Sequence, residues 1–386
     1  MKRTVFATAI LTAAGSLGAQ AGTKDIAFTQ LWTYAHGVTT TRQVAEIPAF
    51  DAKTNTIWVA GVVGVDVLDA DDGALVDHID VTPFGFVNSV AIHRGVAALA
   101  VEAAPDRTEA GHVLFYKTRR IDDGVIDVVE VGALPDMLTF THDGKKLLVA
   151  NEATPNAVAD TAYQQPDPVG SVTIIEMESR TVVATLDFAG VPTSGANLRT
   201  DFTPTGSTSF DMDFEPEYIA VDDDDERAFV TLQEANAIAV LDLEELEFRR
   251  VIGLGAKDFN VAGNEIDPID NDATVVFQSV AAKGLYMPDT IATYQWRGDT
   301  YVVMANEGDF REDNVDRGAT SAAAPLNRLR VATPPSASPA FFAAGARSFS
   351  IRDTRGRLVF DSGSRLDREA FERGIYDDGR SRDKGV

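Results

Sequence analysis

The 386-residue chain contains no cysteine, which removes disulfides, thiol nucleophiles, iron–sulfur clusters and Cys-type zinc sites at once. Stability must come from a buried core, and 45% hydrophobic residues suffice to build one. Histidine is scarce too. His36, His78, His93, His112 and His142 lie at no metal-ligand spacing, which counts against di-metal phosphatase chemistry, where several His and Asp ligands are mixed. His142 precedes Asp143-Gly144 and reads as a solvated turn residue. No Gly-x-Ser-x-Gly elbow, His-Glu-x-x-His pair or Walker-type phosphate loop occurs, and Gly253-Leu254-Gly255 is too short a match to count. Basic residues are in deficit, 34 against 59 acids for a formal charge of −25. Such a field repels nucleic acid and anionic membranes and attracts cations; an acidic surface also keeps an exported protein soluble.

No apolar run reaches the roughly 20 residues that a bilayer-spanning helix needs, so no transmembrane segment is expected. At the N-terminus Lys2 and Arg3 precede an apolar stretch from Val5 to Leu17, and Ala19-Gln20-Ala21 supplies small residues for cleavage. Residues 1–21 therefore read as a signal peptide, with a mature protein starting at Gly22, exported to the periplasm or the exterior.

The rest of the chain is organised by a repeat. Its clearest copy is Pro288 to Phe310, PDTIATYQWRGDTYVVMANEGDF, and two earlier copies are PDMLTFTHDGKKLLVANE from Pro135 and PEYIAVDDDDERAFVTLQE from Pro216. Each opens on Pro and an acid (Asp136, Glu217, Asp289), alternates apolar and polar residues, turns, and returns to an amide followed by Glu: Asn151-Glu152, Gln233-Glu234, Asn306-Glu307. Period-two alternation around a polar turn predicts a hairpin, and recurring hairpins predict a repeat architecture. Two further units precede these: one from Ile47, and one from Val87 to Lys117 with its turn reduced to Arg94-Gly95 and with Glu102 near the closing position. About five units of some 40 residues make an all-β β-propeller filling residues 22–386, with insertions near 153–170, 255–287 and 311–343. Two unrelated sandwiches would have no reason to share this residue order. The third insertion, rich in Ala, Pro and Ser, predicts little regular structure. Beyond it, SRLDREAFERG predicts a short helix capped by Ser364 and ended by Gly374.

These stretches, together with LGAKDFNVAGNEIDPIDND, RSFSIRDTRGRLVFDSGS and YDDGRSRDKG, resemble the choice-of-anchor I family, which shares its propeller with mesenchyme-specific cell-surface glycoproteins. The resemblance covers nearly all of the chain after the signal. It implies a seven-bladed extracellular propeller, and bacterial members described as alkaline phosphatase-like or as anchored surface proteins. Family members continue past DDGRSRDKG into a Pro-Glu-Pro-Glu-Gly stretch and further blades, whereas this sequence stops at Val386. The expectation is an incomplete propeller whose open edges promote self-association.

Carboxylates are the concentrated chemical resource. Equivalent positions in successive blades surround one axis, so Asp136, Glu217 and Asp289, or Glu152, Glu234 and Glu307, would form rings of the hard oxygen ligands that Ca²⁺ takes. Each acid could instead accept backbone N–H bonds from a neighbouring blade. Asp211, Asp213, Glu215 and Glu217 alternate and would share one face of an extended chain, as a cation site or as a solvated edge. Asp267, Asp270 and Asp272 have the oxygen density of a Ca²⁺ loop without EF-hand spacing. Two functions follow: a non-catalytic exported propeller that binds Ca²⁺ and a cell-surface or extracellular ligand, or a Ca²⁺-dependent phosphomonoesterase acting on a phosphorylated small molecule. No nucleic-acid partner is expected.

Overall fold

The computed structural model describes residues 29–36, 44–156, 166–198, 214–269, 274–312, 316–320, 322–332 and 341–376. The expected signal peptide and Asp211, Asp213, Asp270 and Asp272 fall outside them. The first unit is an antiparallel sheet of β1 (Pro48–Asp51), β2 (Thr56–Gly61), β3 (Gly64–Asp69) and β4 (Leu75–Asp80) in chain order. The second repeats the plan with β5 (Phe86–His93), β6 (Val96–Glu102), β7 (Ala110–Lys117) and β8 (Asp127–Ala133). The third does so with β9 (Pro135–Phe140), β10 (Lys146–Asn151), β11 (Ser171–Glu176) and β12 (Thr181–Leu186). After β13 (Thr193–Ala196) comes the fourth: β14 (Pro216–Val221), β15 (Arg227–Leu232), β16 (Ala237–Asp242) and β17 (Glu247–Leu254), with β13 parallel to β17 on its outer edge.

Between units four and five run β18 (Ala256–Asp258) and β19 (Ala282–Leu285). Unit five begins with β20 (Ile291–Trp296) and β21 (Asp299–Asn306) and is then interrupted. The interruption carries more regular structure than its composition predicts. β22 (Arg317–Ala319) pairs antiparallel with β23 (Arg330–Ala332), and β24 (Phe341–Ala343) adds in parallel to β19. Its few apolar residues are spent on that docking, since Ala332, Ala344 and Phe342 pack with Leu285, Met287 and Phe310. Unit five resumes with β25 (Ser348–Asp353) and β26 (Leu358–Asp361), followed by helix α1 (Arg365–Glu372). Gly374, at φ 69°, ends that helix as expected.

The burial pattern explains why these residues pack as blades. Second and third strands such as β10 and β16 are buried on both faces, while the outer strands β4 and β12 are mostly exposed. The apolar cores therefore lie between sheets. One joins units one and two through Trp58, Val67, Leu99 and Leu114, another joins units three and four through Leu148, Val172, Val230 and Ala239, and a third joins four and five through Phe229, Ile238 and Val302. Tight turns set the register: Arg94-Gly95 and Arg297-Gly298 place both central residues at positive φ, the geometry of a two-residue hairpin. First strands contact first strands in succession, β1 with β5, β5 with β9, β9 with β14 and β14 with β20. They surround the axis of an all-β propeller.

Candidate functional site

Each repeat splits its closing pair into two jobs. The amide is structural. Asn151 is fully buried; its Oδ1 accepts a hydrogen bond from the Gly132 N–H at 3.1 Å, and its Nδ2 donates to Ser171 Oγ at 3.1 Å and Thr173 Oγ1 at 2.8 Å. Asn306 is buried likewise between Ser348 and Ser350. In unit four the task passes to Asn236, which accepts from the Met287 N–H at 3.0 Å and donates to the carbonyls of Asn197 and Gly255. In units three and four the Glu that follows the amide, Glu152 or Glu234, is left among the acids near the axis.

The opening acid is aimed by a bulge. In β9 the register shifts so that Pro135 pairs with Asn151 and Met137 with Ala150, leaving Asp136 as the extra residue. Asn88 occupies the same place in β5, and Glu217 falls within the equivalent shift in β14. A bulge bends its strand and redirects a side chain, so the repeat places an acid or amide at the start of the first strand and a Glu past the end of the antiparallel second strand. Both positions lie at the same end of the propeller. Leu134 and Met287, which precede the opening prolines, adopt φ of 46° and 44°, and Ala153, after Glu152, adopts 66°. Non-glycine residues in this left-handed region carry strain, which clusters where a structure over-determines a site.

The acids brought together there act on one another strongly. Burial, then the charges of Glu152, Glu46, Asp289 and Glu102, pushes Asp136 well above the usual carboxylate range. Burial and the Glu234 charge do the same for Glu217, and Glu234 is pushed up to about 8. Glu152, Glu102 and Glu46 are raised as well, burial being the largest cause in each. Asp136, Glu152 and Glu234 nevertheless keep part of their surface accessible. They are closely surrounded by protein without being sealed from solvent. Arg107 belongs to this mouth, with Nη1 3.1 Å from both carboxylate oxygens of Glu312 and Nε 3.9 Å from Glu102 Oε2.

Not every predicted residue joins. Glu307 is exposed, and from unit five it is Asp289, Asp309 and Glu312 whose charges act on the mouth acids. Glu215 is buried. Asp267 is buried beside the isolated bridge of Ile266 and Gln278 and accepts from the Ile269 N–H at 3.4 Å, as a turn residue does. Glu46, Arg107, Asp309 and Glu312 carry no repeat signature; for Glu46 the signal is its place just ahead of the first strand.

The donor set of the mouth is oxygen only, which suits a hard cation, and Glu234 Oε2 is buried with no hydrogen-bond partner. Among the described residues, however, no three His, Asp or Glu side chains converge closely enough to share an ion.

Fold and site together define a β-propeller with an acid-lined axial mouth. The chain belongs to the choice-of-anchor I family: the family model of the choice-of-anchor I domain matches residues 46–386. This is a family of exported or surface-held domains, and no helix among the described residues is long and apolar enough to cross a membrane. Comparison with curated proteins finds no match. Among solved structures the chain is similar to a protein of unknown function from Bacteroides caccae, at 12% identity over 84% of this chain and 83% of that one with a TM-score of 0.39. It is also similar to hydrazine synthase of Kuenenia stuttgartiensis, at 13% identity over 68% of this chain and 80% of that one with a TM-score of 0.35.

Proposed function

We propose that this domain is a non-catalytic, exported propeller whose acid-lined mouth takes up Ca²⁺ and whose faces bind a cell-surface or extracellular ligand. The observation that carries the reading is the crowding of Asp136, Glu152, Glu217 and Glu234, each raised by burial and by its neighbours. Carboxylates that suppress one another's ionisation gain most from a divalent ion, which replaces mutual repulsion by attraction. Asp136, Glu152, Glu217 and Glu234 would hold the ion, with water completing its shell.

Phosphate-ester hydrolysis would need a nucleophile or an activated water beside a base. Four of the five described histidines are engaged elsewhere: His36 and His78 bind Asp66, His142 binds Asp225, and His93 packs on Phe140. Equilibrium dialysis of the full chain against Ca²⁺ tests the reading. Saturable uptake, lost in the Glu217→Gln/Glu234→Gln variant, is expected. No uptake at millimolar Ca²⁺, the weak end for extracellular modules, would overturn it.

A further inference from the structure

Ahead of unit one runs an extended strap that belongs to none of the sheets. In residues 29–36 the side chains of Trp32, Tyr34 and His36 are half-buried while Leu31, Thr33 and Ala35 are exposed, the period-two pattern of an extended segment lying on a surface. That surface is unit one. Trp32 Nε1 donates to the Ala70 carbonyl at 3.0 Å, and Gly73, at φ 75°, makes room for the indole, since a Cβ there would lie 2.5 Å from the ring. At the end of the strap His36 Nδ1 lies 2.5 Å from Asp66 Oδ2 on β3.

Asp66 serves a second imidazole. His78, its cross-strand neighbour on β4, brings Nδ1 to 2.6 Å from Oδ1, and Gly64 leaves the space for that ring, since a Cβ there would stand 2.7 Å from His78 Cε1. Asp66 is only 3% exposed, so its carboxylate depends on these two donors. Burial acts to raise its pKa, but the hydrogen bonds from His36 and His78 outweigh burial and hold it below the ordinary carboxylate range. An ionised carboxylate only accepts, so each Nδ1 carries its hydrogen and the proton that each imidazole can still gain goes to Nε2. Among the described residues the other titratable groups acting on the trio are Tyr34, raised by burial and by the Asp66 charge, Asp80, on which the His78 charge acts, and Asp77, which accepts from the His78 N–H. All three are acids, and none opposes an imidazolium.

We infer that His36, Asp66 and His78 form a pH-sensitive latch: protonation of the two imidazoles tightens the strap on unit one, and their deprotonation loosens it. Each imidazolium touches the carboxylate, whereas the two imidazoliums bind different oxygens and lie farther from each other than from the charge between them, so the two attractions exceed the one repulsion. A charge-assisted hydrogen bond is roughly twice as strong as a neutral one, and histidine is the side chain whose charge changes between about pH 5 and 8. The latch is therefore firm near pH 5.5 and weakens as pH rises toward 8; acid strong enough to protonate Asp66 releases it again. Opening lifts Trp32 from Gly73 and bares the Asp66 carboxylate on the side of unit one.

The test is exchange of the Trp32 indole N–H with solvent deuterium, followed by NMR in the full chain, wild type against His36→Asn. Asparagine keeps a neutral donor near the Nδ1 position and cannot take up a proton, and comparing the two proteins at one pH cancels the intrinsic exchange rate. At pH 8 they should exchange within about twofold of each other; at pH 5.5 the variant should exchange about tenfold faster, the difference between a charge-assisted and a neutral hydrogen bond. The buried Trp58 indole, bonded to Thr56 Oγ1 at 3.1 Å, is the internal control and should not change. The same variant-to-wild-type ratio at both pH values would reduce the trio to a fixed contact and overturn the latch. If the variant does not fold, the wild type decides. Imidazole nitrogen shifts showing His36 and His78 charged at pH 5.5, with a Trp32-to-Trp58 exchange ratio that rises toward pH 8, support the latch; neutral imidazoles at pH 5.5, or a ratio that stays flat, overturn it.

Discussion

Glu217, at the start of the first strand of unit four, and Glu234, just past the end of its second, bring two carboxyl groups together: after burial, the Glu234 charge is the largest cause that pushes Glu217 well above the usual carboxylate range. Two buried acids so placed favour a bound proton over full ionisation. The pair is therefore a proton-holding device at the axis of the propeller, and its protonation sets the charge of the mouth.

That proton makes stability depend on pH in a direction opposite to the usual surface carboxylate. The folded chain holds protons on Asp136, Glu217 and Glu234 at pH values where the unfolded chain has released them. Folded-state values above the unfolded ones mean that this contribution is fully present below about pH 4.5 and declines as pH rises toward about 8, the value of Glu234. Thermal melts in chelator should show Tm falling between pH 5 and 8. In Glu234→Gln the fall should be smaller, by on the order of 3 °C. Parallel curves for the two proteins would remove the pair from the account.

Asn151 and Asn306 predict a contrast with the Glu residues beside them. Asn151→Ala would leave Gly132 N–H, Ser171 and Thr173 without their shared partner in a fully buried place, so urea unfolding should show a loss of about 3 kcal/mol. Glu307→Gln changes an exposed side chain and should stay within about 0.5 kcal/mol.

Ala153 and Leu134 separate strain from packing. Both have left-handed φ, 66° and 46°, and glycine adopts that region without a Cβ penalty. Gly308, which follows Glu307 in unit five, occupies it at 91°. Ala153→Gly should therefore stabilise the chain by up to about 1 kcal/mol in urea unfolding. Leu134→Gly also empties a side chain that is 1% exposed and should destabilise by more than about 2 kcal/mol.

Asp225 and His142 show what the sequence conceals. The Asp225 carboxylate accepts from the backbone N–H groups of His142 and Asp143 at 2.8 and 2.9 Å and meets His142 Nδ1 at 2.8 Å, clasping the hairpin turns of units three and four. Its pKa is lowered by those bonds against the opposing effect of burial. His142 alone reads as a solvated turn residue, because a contact between turns 82 residues apart leaves no local pattern. The hairpins were legible because period-two alternation and the Pro-acid and amide-Glu pairs are local and repeated. The equivalent strand positions of Asp136 and Glu217 were legible for the same reason. Arg107, Asp309 and Glu312 were not, since the other copies have no equivalent of them and they reach the mouth only once the units have curved round an axis. Nor did the repeat reveal that its amide is a clamp while its acid faces the opening; that division follows from the bulge, which sequence spacing does not show.

The most direct test counts protons. If Ca²⁺ enters the mouth, the protons that burial and neighbouring charge keep on Asp136, Glu217 and Glu234 must leave, because metal binding and carboxyl protonation compete for the same oxygens. Calorimetric titration with Ca²⁺ at pH 7, in two buffers of different ionisation enthalpy, reads that release directly. Saturable binding with protons set free on uptake is expected, and none in Glu217→Gln/Glu234→Gln. Saturable Ca²⁺ binding with no proton release, or with the same release from the double variant, would place the ion elsewhere on the chain and contradict the account.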